Sequence, residues 1–258
     1  MISKNVPFFI MILFNLVCSA QSVDTFIPVD SLAVKNIAQT HFKTKQLIIP
    51  AVLIGYGIIG IGNDQLESFN NQIKEEVKEN IDKKFTIDDF SQYLPLASVY
   101  GLRAIGIKGK NNFRDKTVIV ATSYLIMGIA VNSLKRTLKV ERPDGSGFNS
   151  FPSGHTATAF MGAELLYQEY KDVSLWYGIS GYMVATVTGA FRLYNNKHWL
   201  TDVVAGAGIG ILSAKSAYWL YPSINRLLAS KKQTNKKTAF IPYYDGKQVG
   251  FGLVSTFY

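Results

Sequence analysis

The chain has 258 residues, of which 48% are hydrophobic and 17% charged, with a formal net charge of +9. The charged share lies below the roughly 25% of soluble domains, which points to a membrane or to a large apolar helical core. The basic residues are scattered and no basic tract is interleaved with aromatics, which argues against nucleic acid and leaves an anionic lipid surface as the fitting partner.

In chain order, Lys4, the apolar stretch 8–17 and the small residues of Cys18-Ser19-Ala20 form the pattern of an export signal. Residues 1–20 are thus either a signal peptide or an uncleaved anchor. Cys18 is the only cysteine, so a processed chain holds no disulfide and no thiolate metal site. A polar lead-in, 21–45, carries His41, a surface residue by context. An uncharged run covers 46–63, and two more cover 117–134 and 174–191. Three further apolar stretches contain charges: 90–107 with Arg103, 153–170 with Glu164 and 201–221 with Lys215. Each run is about 18 residues, the lower end of what spans a bilayer. All are rich in Gly, Ala and Ser, which lets membrane helices approach closely. Trp176, Tyr177, Trp219 and Tyr221 stand at run ends, as interfacial aromatics do.

Residues 64–85 differ. Asp64 and Glu67 read as a capping box, and Leu66, Phe69, Ile73, Val77 and Ile81 make one apolar stripe. The segment is either a connecting helix or an interfacial helix beside the site. At the end of the chain, residues 226–258 form a basic linker and a tail. There, Asp245-Gly246 lies between the β-type runs around Phe240, Ile241, Tyr243, Tyr244 and 249–257, a hairpin signal. The expected architecture is all-α: a six-helix membrane bundle over 46–225, with a short C-terminal β-hairpin. At 1.5 Å rise per residue, Glu164, Lys215 and Arg103 lie at similar depths, so Glu164 is expected to pair with one of the two cations.

Three segments carry chemistry. Lys135 precedes Arg142-Pro143, Pro152-Ser153-Gly154-His155 begins a helix, and Arg192 precedes His198 and then Asp202. Three cations at helix ends are expensive together unless an anion sits between them. Arginine presents planar donors that match phosphate oxygens, and the free N–H groups of a helix start favour an anion. His198 and Asp202, four apart, share a helix face. The carboxylate fixes the tautomer and leaves the other ring nitrogen as nucleophile. His155 lies in the phosphate-binding turn, where it could protonate a leaving oxygen.

Together the three segments resemble the signature of the type 2 phosphatidic acid phosphatase superfamily, which includes bacterial nonspecific acid phosphatases and vanadium haloperoxidases. The resemblance covers residues 47–221. It implies that Lys135, Arg142, Ser153, Gly154 and Arg192 bind phosphate, that His198 attacks phosphorus assisted by Asp202, and that His155 is the general acid. It implies no metal and no cofactor, and no paired carboxylates stand at ligand spacing. Phe191 occupies the place before the third-motif arginine where the family usually has Ser.

The three motifs fall on one side of the six runs. The other side carries Lys108, Lys110, Arg114 and Lys116, then Arg226, Lys231, Lys232, Lys236 and Lys237. The positive-inside rule places the site outside the cytoplasm, on the periplasmic face of a bacterial inner membrane. A cleaved signal followed by six spans would give the opposite. The expected function is a membrane lipid phosphatase acting through a phosphohistidine on a lipid A phosphate, phosphatidylglycerophosphate, phosphatidate or a polyprenyl diphosphate. The alternatives are an exported soluble acid phosphatase and a non-enzymatic anion-binding membrane protein.

Overall fold

The structure, a computed structural model, describes residues 44–80, 86–230, 237–244 and 249–256. The presequence with Cys18, His41, Ile81, Phe85 and the Asp245-Gly246 turn lie outside these residues. The chain divides into two compact units, Met1–Trp219 and Leu220–Tyr258.

After a 3-10 turn over Thr44–Leu47 come α1 (Ile48–Ile59), α2 (Asp64–Asn80), α3 (Ile87–Ser91), α4 (Leu94–Ala104), α5 (Phe113–Leu138), α6 (Gly154–Tyr170), α7 (Leu175–Tyr194) and α8 (Leu200–Ser230). In the second unit β1 (Lys237–Tyr244) pairs antiparallel with β2 (Val249–Thr256), Lys237 opposite Thr256 and Tyr244 opposite Val249. The expected count of six helices is corrected to eight α-helices among the described residues. Five of the apolar runs form one helix each, the run at 90–107 divides between the end of α3 and α4, and the amphipathic α2 is a further addition. The run at 90–107 is split because Pro95 stands in the first turn of α4, the helical position where a missing N–H is harmless.

The start of α2 also differs from the expected capping box. Its cap is Asn63, whose Oδ1 accepts from Leu66 N at 3.1 Å. Asp64 is the first helical residue, where its charge meets the positive end of the helix dipole.

α6 is the central helix. Buried residues run along it from Thr156 to Tyr170 with no consistently exposed face, as in a helix enclosed by others. Small residues on its neighbours allow the contact. A Cβ on Gly206 of α8 would stand 2.5 Å from Ser153 O, and one on Gly210 would stand 2.3 Å from Ala157 O. On another face of α8, a Cβ on Gly208 would meet Pro50 O of α1 at 2.8 Å. Glycine is required at all three, because the obstacles are backbone. α8 is thereby seated directly on the start of α6, and the second and third motifs are brought together.

Among the described residues two helices, Phe113–Leu138 and Leu200–Leu228, are long and apolar enough by themselves to cross a membrane, and a third span results if α1 and α2, bent by 90°, count as one. α1 and α4 have 12 and 11 residues, too short for a hydrocarbon core of about 30 Å. α6 has 17 residues and carries two buried glutamates. Only 22% of the apolar window of α5 is buried, and Leu125 and Ile129 on it are 64% and 60% exposed. An open apolar face of this kind belongs in lipid, and the chain is a membrane protein.

The interior, by contrast, holds charge. Lys215 Nζ lies 2.7 Å from Glu164 Oε1, so the expected partner of Glu164 is Lys215. Arg103 instead donates to Asn111 O at 3.4 Å. Tyr182 OH donates to the other carboxylate oxygen, and Gln168 Nε2 donates to Oε1 at 2.6 Å. A second cluster corrects the charge count of the far side. Lys116 is no loop residue: it is 1% exposed, donates to Val99 O at 3.1 Å and lies 3.7 Å from Glu169 Oε2. Glu169 also accepts from Tyr218 OH at 2.5 Å, so α4, α5, α6 and α8 meet there.

Breaking a buried pair from one side strands the other charge. Glu164→Gln is expected to lower stability by about 3 kcal/mol, read as the thermal midpoint in detergent, with phosphatase turnover intact at low temperature. Combining it with Lys215→Met should recover most of the loss. A double variant no more stable than the single one would show that the pair is not the cause.

Candidate active site

Motif one leaves the end of α5. Lys135 Nζ donates to Asn149 O and lies 3.4 Å from Ser150 O. Arg142 Nε donates to Asn149 Oδ1 at 2.7 Å, and Ser150 N reaches Val140 O at 3.0 Å. The 139–150 loop is therefore closed on itself with both cations directed at its returning limb. Burial, and next the charge of Arg192, lowers the proton affinity of Arg142. It stays charged, since a guanidinium cannot be deprotonated in a protein.

That loop is tied to the turn between α7 and α8. Lys197 Nζ lies 2.6 Å from Asp144 Oδ2, and Trp199 Nε1 donates to Glu141 O at 2.8 Å. Burial pushes the Asp144 carboxyl up, but Lys197 and Ser146 overcome it and hold it below the usual carboxylate range.

His198 is 3% exposed and Asp202 is 1% exposed. The expected direct bond between them needs correction. His198 Nδ1 is 3.5 Å from Asp202 Oδ2 and equally 3.5 Å from Ser150 Oγ. Ser150 Oγ itself donates to Asp202 Oδ2 at 2.5 Å, and Trp199 N donates to the same oxygen at 2.9 Å. Three groups thus converge on one carboxylate oxygen, and the imidazole stands at the long end of hydrogen-bond range. Its Nδ1 side is committed to this corner, which leaves Nε2 for chemistry. Burial lowers the His198 pKa to about 4, against the raising effect of Asp202.

Motif two starts α6. Ser153 is its N-cap, with Oγ 3.4 Å from Thr156 N and 2.9 Å from Thr156 Oγ1. Ser153 N donates to Asp202 O at 3.0 Å. A Cβ on Gly154 would meet only Val131 Cγ1, at 3.9 Å, so the packing of the protein itself does not demand glycine there. His155 Nε2 lies 2.9 Å from Asp89 Oδ1.

Arg192, 7% exposed, donates through one terminal nitrogen to Asp88. Asp88 also accepts from Asn195 Nδ2 at 2.9 Å. Phe191, in place of the usual Ser, packs edge-on against Tyr194 with centroids 5.8 Å apart.

The structure thus places Lys135, Arg142, Arg192, His198 and Asp202 within electrostatic reach of one another. Ser153 and Gly154 lie at the helix start beside them, and His155 faces Arg192 from the edge. Sequence reading missed Ser150, Asp88 and Asp89. Ser150 stands two residues before Pro152 and looks like any loop serine. The adjacent Asp88-Asp89 pair was visible, and it corrects the expectation of no paired carboxylates. One ligand-type atom each of Asp88, Asp89 and His155 lies within 4.8 Å of the others. Asp88 is already engaged by the Arg192 cation and by Asn195, so the group is read as the anionic counterpart of the cradle.

Residues 116–226 match the profile of the PAP2 superfamily. A lipid A 1-phosphatase of Porphyromonas gingivalis is 43% identical over 141 residues, which make up 54% of this chain and 32% of that protein. The bacitracin transport permease protein BcrC of Bacillus licheniformis is 30% identical over 105 residues, 35% of this chain and 49% of that one. The chain thus spans about a third and about half of the lengths of these relatives. The crystal structure of LpxE from Aquifex aeolicus aligns with a TM-score of 0.45 at 23% identity, over 58% of this chain and 94% of that chain.

The His198 shift has a measurable sign. Its proton affinity is lower in the folded protein than the unperturbed value of about 6.5. The stability it contributes is therefore complete above about pH 6.5 and is lost as pH falls toward about 4. With three histidines in the chain, imidazole NMR with His41→Gln and His155→Gln for assignment should find His198 neutral at pH 5.5. A titration midpoint near 6.5 would show that burial does not govern this ring.

Proposed function

We propose that the chain, whose residues 116–226 match the profile of the PAP2 superfamily, is a type 2 phosphatidic acid phosphatase that acts on a membrane lipid through a phosphohistidine on His198. The observation that carries this reading is the buried His198, its Nδ1 side held by Asp202 and Ser150, beside Lys135 and Arg142 of motif one and Arg192 of its own motif. In this reading Lys135, Arg142, Arg192, Ser153 and the N–H groups that start α6, Gly154 among them, hold the phosphoryl oxygens. Nε2 of His198 attacks phosphorus, and Asp202 stabilises the ring as it gains charge. His155 gives a proton to the leaving oxygen. Donors fixed in advance act where charge develops in the transition state, and removing one such donor typically costs about 100- to 1000-fold in rate.

The cations supply the positive charge that a metal would bring, so the reaction is expected to be metal-independent. His198→Gln should reduce turnover by at least about 1000-fold in a protein that still folds, and Asp202→Asn should reduce it less. Labelled substrate should give an acid-labile phosphoenzyme in the parent and none in His198→Gln. Activity should survive EDTA. Near-parent turnover in His198→Gln would remove the mechanism, and loss on chelation restored by magnesium would remove its metal independence.

A lipid substrate is supported by two features: α5 is open to lipid, and α2, which turns away from α1 by 90°, brings Asn70, Ile73 and Lys74 beside Pro143, Trp199 and His198 around a void of only about 10 Å³. Asn70 Nδ2 holds α2 to Thr201 Oγ1 at 3.1 Å, while Phe69 is 46% exposed. The relative that is a lipid A 1-phosphatase makes a lipid A phosphate the first substrate to assay, followed by phosphatidylglycerophosphate, phosphatidate and a polyprenyl diphosphate. The far loop retains Lys108, Lys110 and Arg114 once Lys116 is excluded, and this asymmetry supports a periplasmic site. Replacing Phe69 and Ile73 by Asp should reduce hydrolysis of the lipid at least about tenfold more than that of p-nitrophenyl phosphate, since only the lipid needs the interfacial helix. Equal loss on both would make α2 a structural brace.

A further inference from the structure

The proposed reaction assigns leaving-group protonation to His155, but the motif that supplies His155 does not say what holds its proton. In the structure a residue outside all three motifs does so. Asp89 Oδ1 lies 2.9 Å from His155 Nε2 across 66 residues of sequence. Asp89 belongs to α3, a helix of five residues and too short to be stable alone. Neighbouring contacts fix it. Asp88 is held by Arg192 and Asn195. Ser91 Oγ and Thr188 Oγ1 are 2.8 Å apart, and Gln92 Nε2 donates to Asp89 O at 2.9 Å. Consecutive helical side chains diverge by about 100°. Asp88 therefore points inward at 1% exposed, while the Asp89 side chain, 54% exposed, crosses the rim to His155.

We propose that Asp89 is the positioning residue of the proton donor, forming with His155 a dyad that protonates the leaving oxygen; this rests on the reading of His155 as general acid. Burial and then the charge of Arg192 hold the His155 pKa below its usual value, and Asp89, then Asp88, are the groups that keep a proton on the ring against them. Arg192 is bound to Asp88 and also lies 4.0 Å from Asp89 Oδ1, so that oxygen stands between the guanidinium and the ring, with the ring much the nearer at 2.9 Å. With Nε2–H donated to Asp89, the proton delivered to the substrate is the one on Nδ1. In the first step the bond from His198 Nε2 to phosphorus forms, the bond from phosphorus to the ester oxygen breaks, and the Nδ1 proton passes to that oxygen. In the second, a water oxygen bonds to phosphorus, the phosphorus–nitrogen bond breaks, and the proton leaving the water returns to His155. The products are an alcohol and inorganic phosphate, and the dyad is restored. A half-exposed ion pair adds little to stability, and α3 is already anchored by Asp88 and Ser91, so the contact is better placed to act on the proton than on the fold.

The test compares kcat/KM of the full chain in detergent on two monoesters. Hexadecyl phosphate has an alkoxide leaving group that needs a proton. The leaving group of p-nitrophenyl phosphate does not. General acid catalysis contributes about 100- to 10,000-fold, so His155→Gln should lose at least about 100-fold on the alkyl ester and little on the aryl ester. Asp89→Asn should show the same selectivity at about 10- to 100-fold, and Asp89→Glu should recover part of it. The Asp89→Asn, His155→Gln double variant should be no worse than His155→Gln alone, the mark of residues acting as one unit. If His155→Gln is selective while Asp89→Asn leaves both esters unchanged or lowers them equally, the dyad is wrong and the role of His155 stands. If His155→Gln itself is unselective, the general-acid reading fails and the dyad fails with it.

Discussion

The hydrogen bond from Ser153 N to Asp202 O, at 3.0 Å, is the reference point of the site. It joins the residue that caps α6 to the first turn of α8, backbone to backbone. It can form only because Gly206 has no side chain where Ser153 O passes. From that junction His198, the proposed nucleophile, lies one way and the turn that starts α6, the proposed anion site, the other. Ser150 then closes the corner by donating to Asp202. The motif-one loop is fastened to the same corner by Lys197 and Asp144 and by Trp199 and Glu141. A close helix contact, ordinarily a matter of packing, here sets the distances between reacting groups.

Polar interactions in the bundle are layered. At the site, Lys135 and Arg142 are directed at backbone and amide oxygens and not at carboxylates, and in the proposed reaction they take an anion. Deeper, charges cancel within the protein, as Glu164 does with Lys215 and Glu169 with Lys116. In an apolar surrounding a single unpaired charge is costly, so each inner pair fixes which helices adjoin. Lys116 shows the constraint well: it sits in the first turn of α5, yet it turns inward to Glu169, Val99 O and Tyr170.

Much of this was legible in the sequence. The apolar runs fell on helices because length and periodicity report burial or lipid directly. Rise per residue brought Glu164 level with both Lys215 and Arg103, and the choice of Lys215 is made by the packing of α6 on α8. The split of the 90–107 run was less visible, because Pro95 reads equally as an interruption or as a helix start. Ser150, Asp88 and Asp89 could not be placed for a different reason. Their roles arise from side-chain meetings across 52, 104 and 66 residues, and no local pattern encodes such distances. The Asn63 cap was missed in favour of Asp64 because both are good capping residues and stand side by side.

The loose seat of α5 has a consequence of its own. This helix has 26 residues, about 39 Å at 1.5 Å each, against a hydrocarbon core of about 30 Å. Much of its surface faces outward, while Lys116 pins its start to Glu169, Val99 O and Tyr170, so a mismatch with the bilayer is taken up by tilt about that anchored end. Lys135 rides near one end of it and reaches the loop of Asn149. In the proposed reaction the depth of that ammonium therefore ties the phosphate cradle to bilayer thickness, and acyl-chain length is expected to tune turnover.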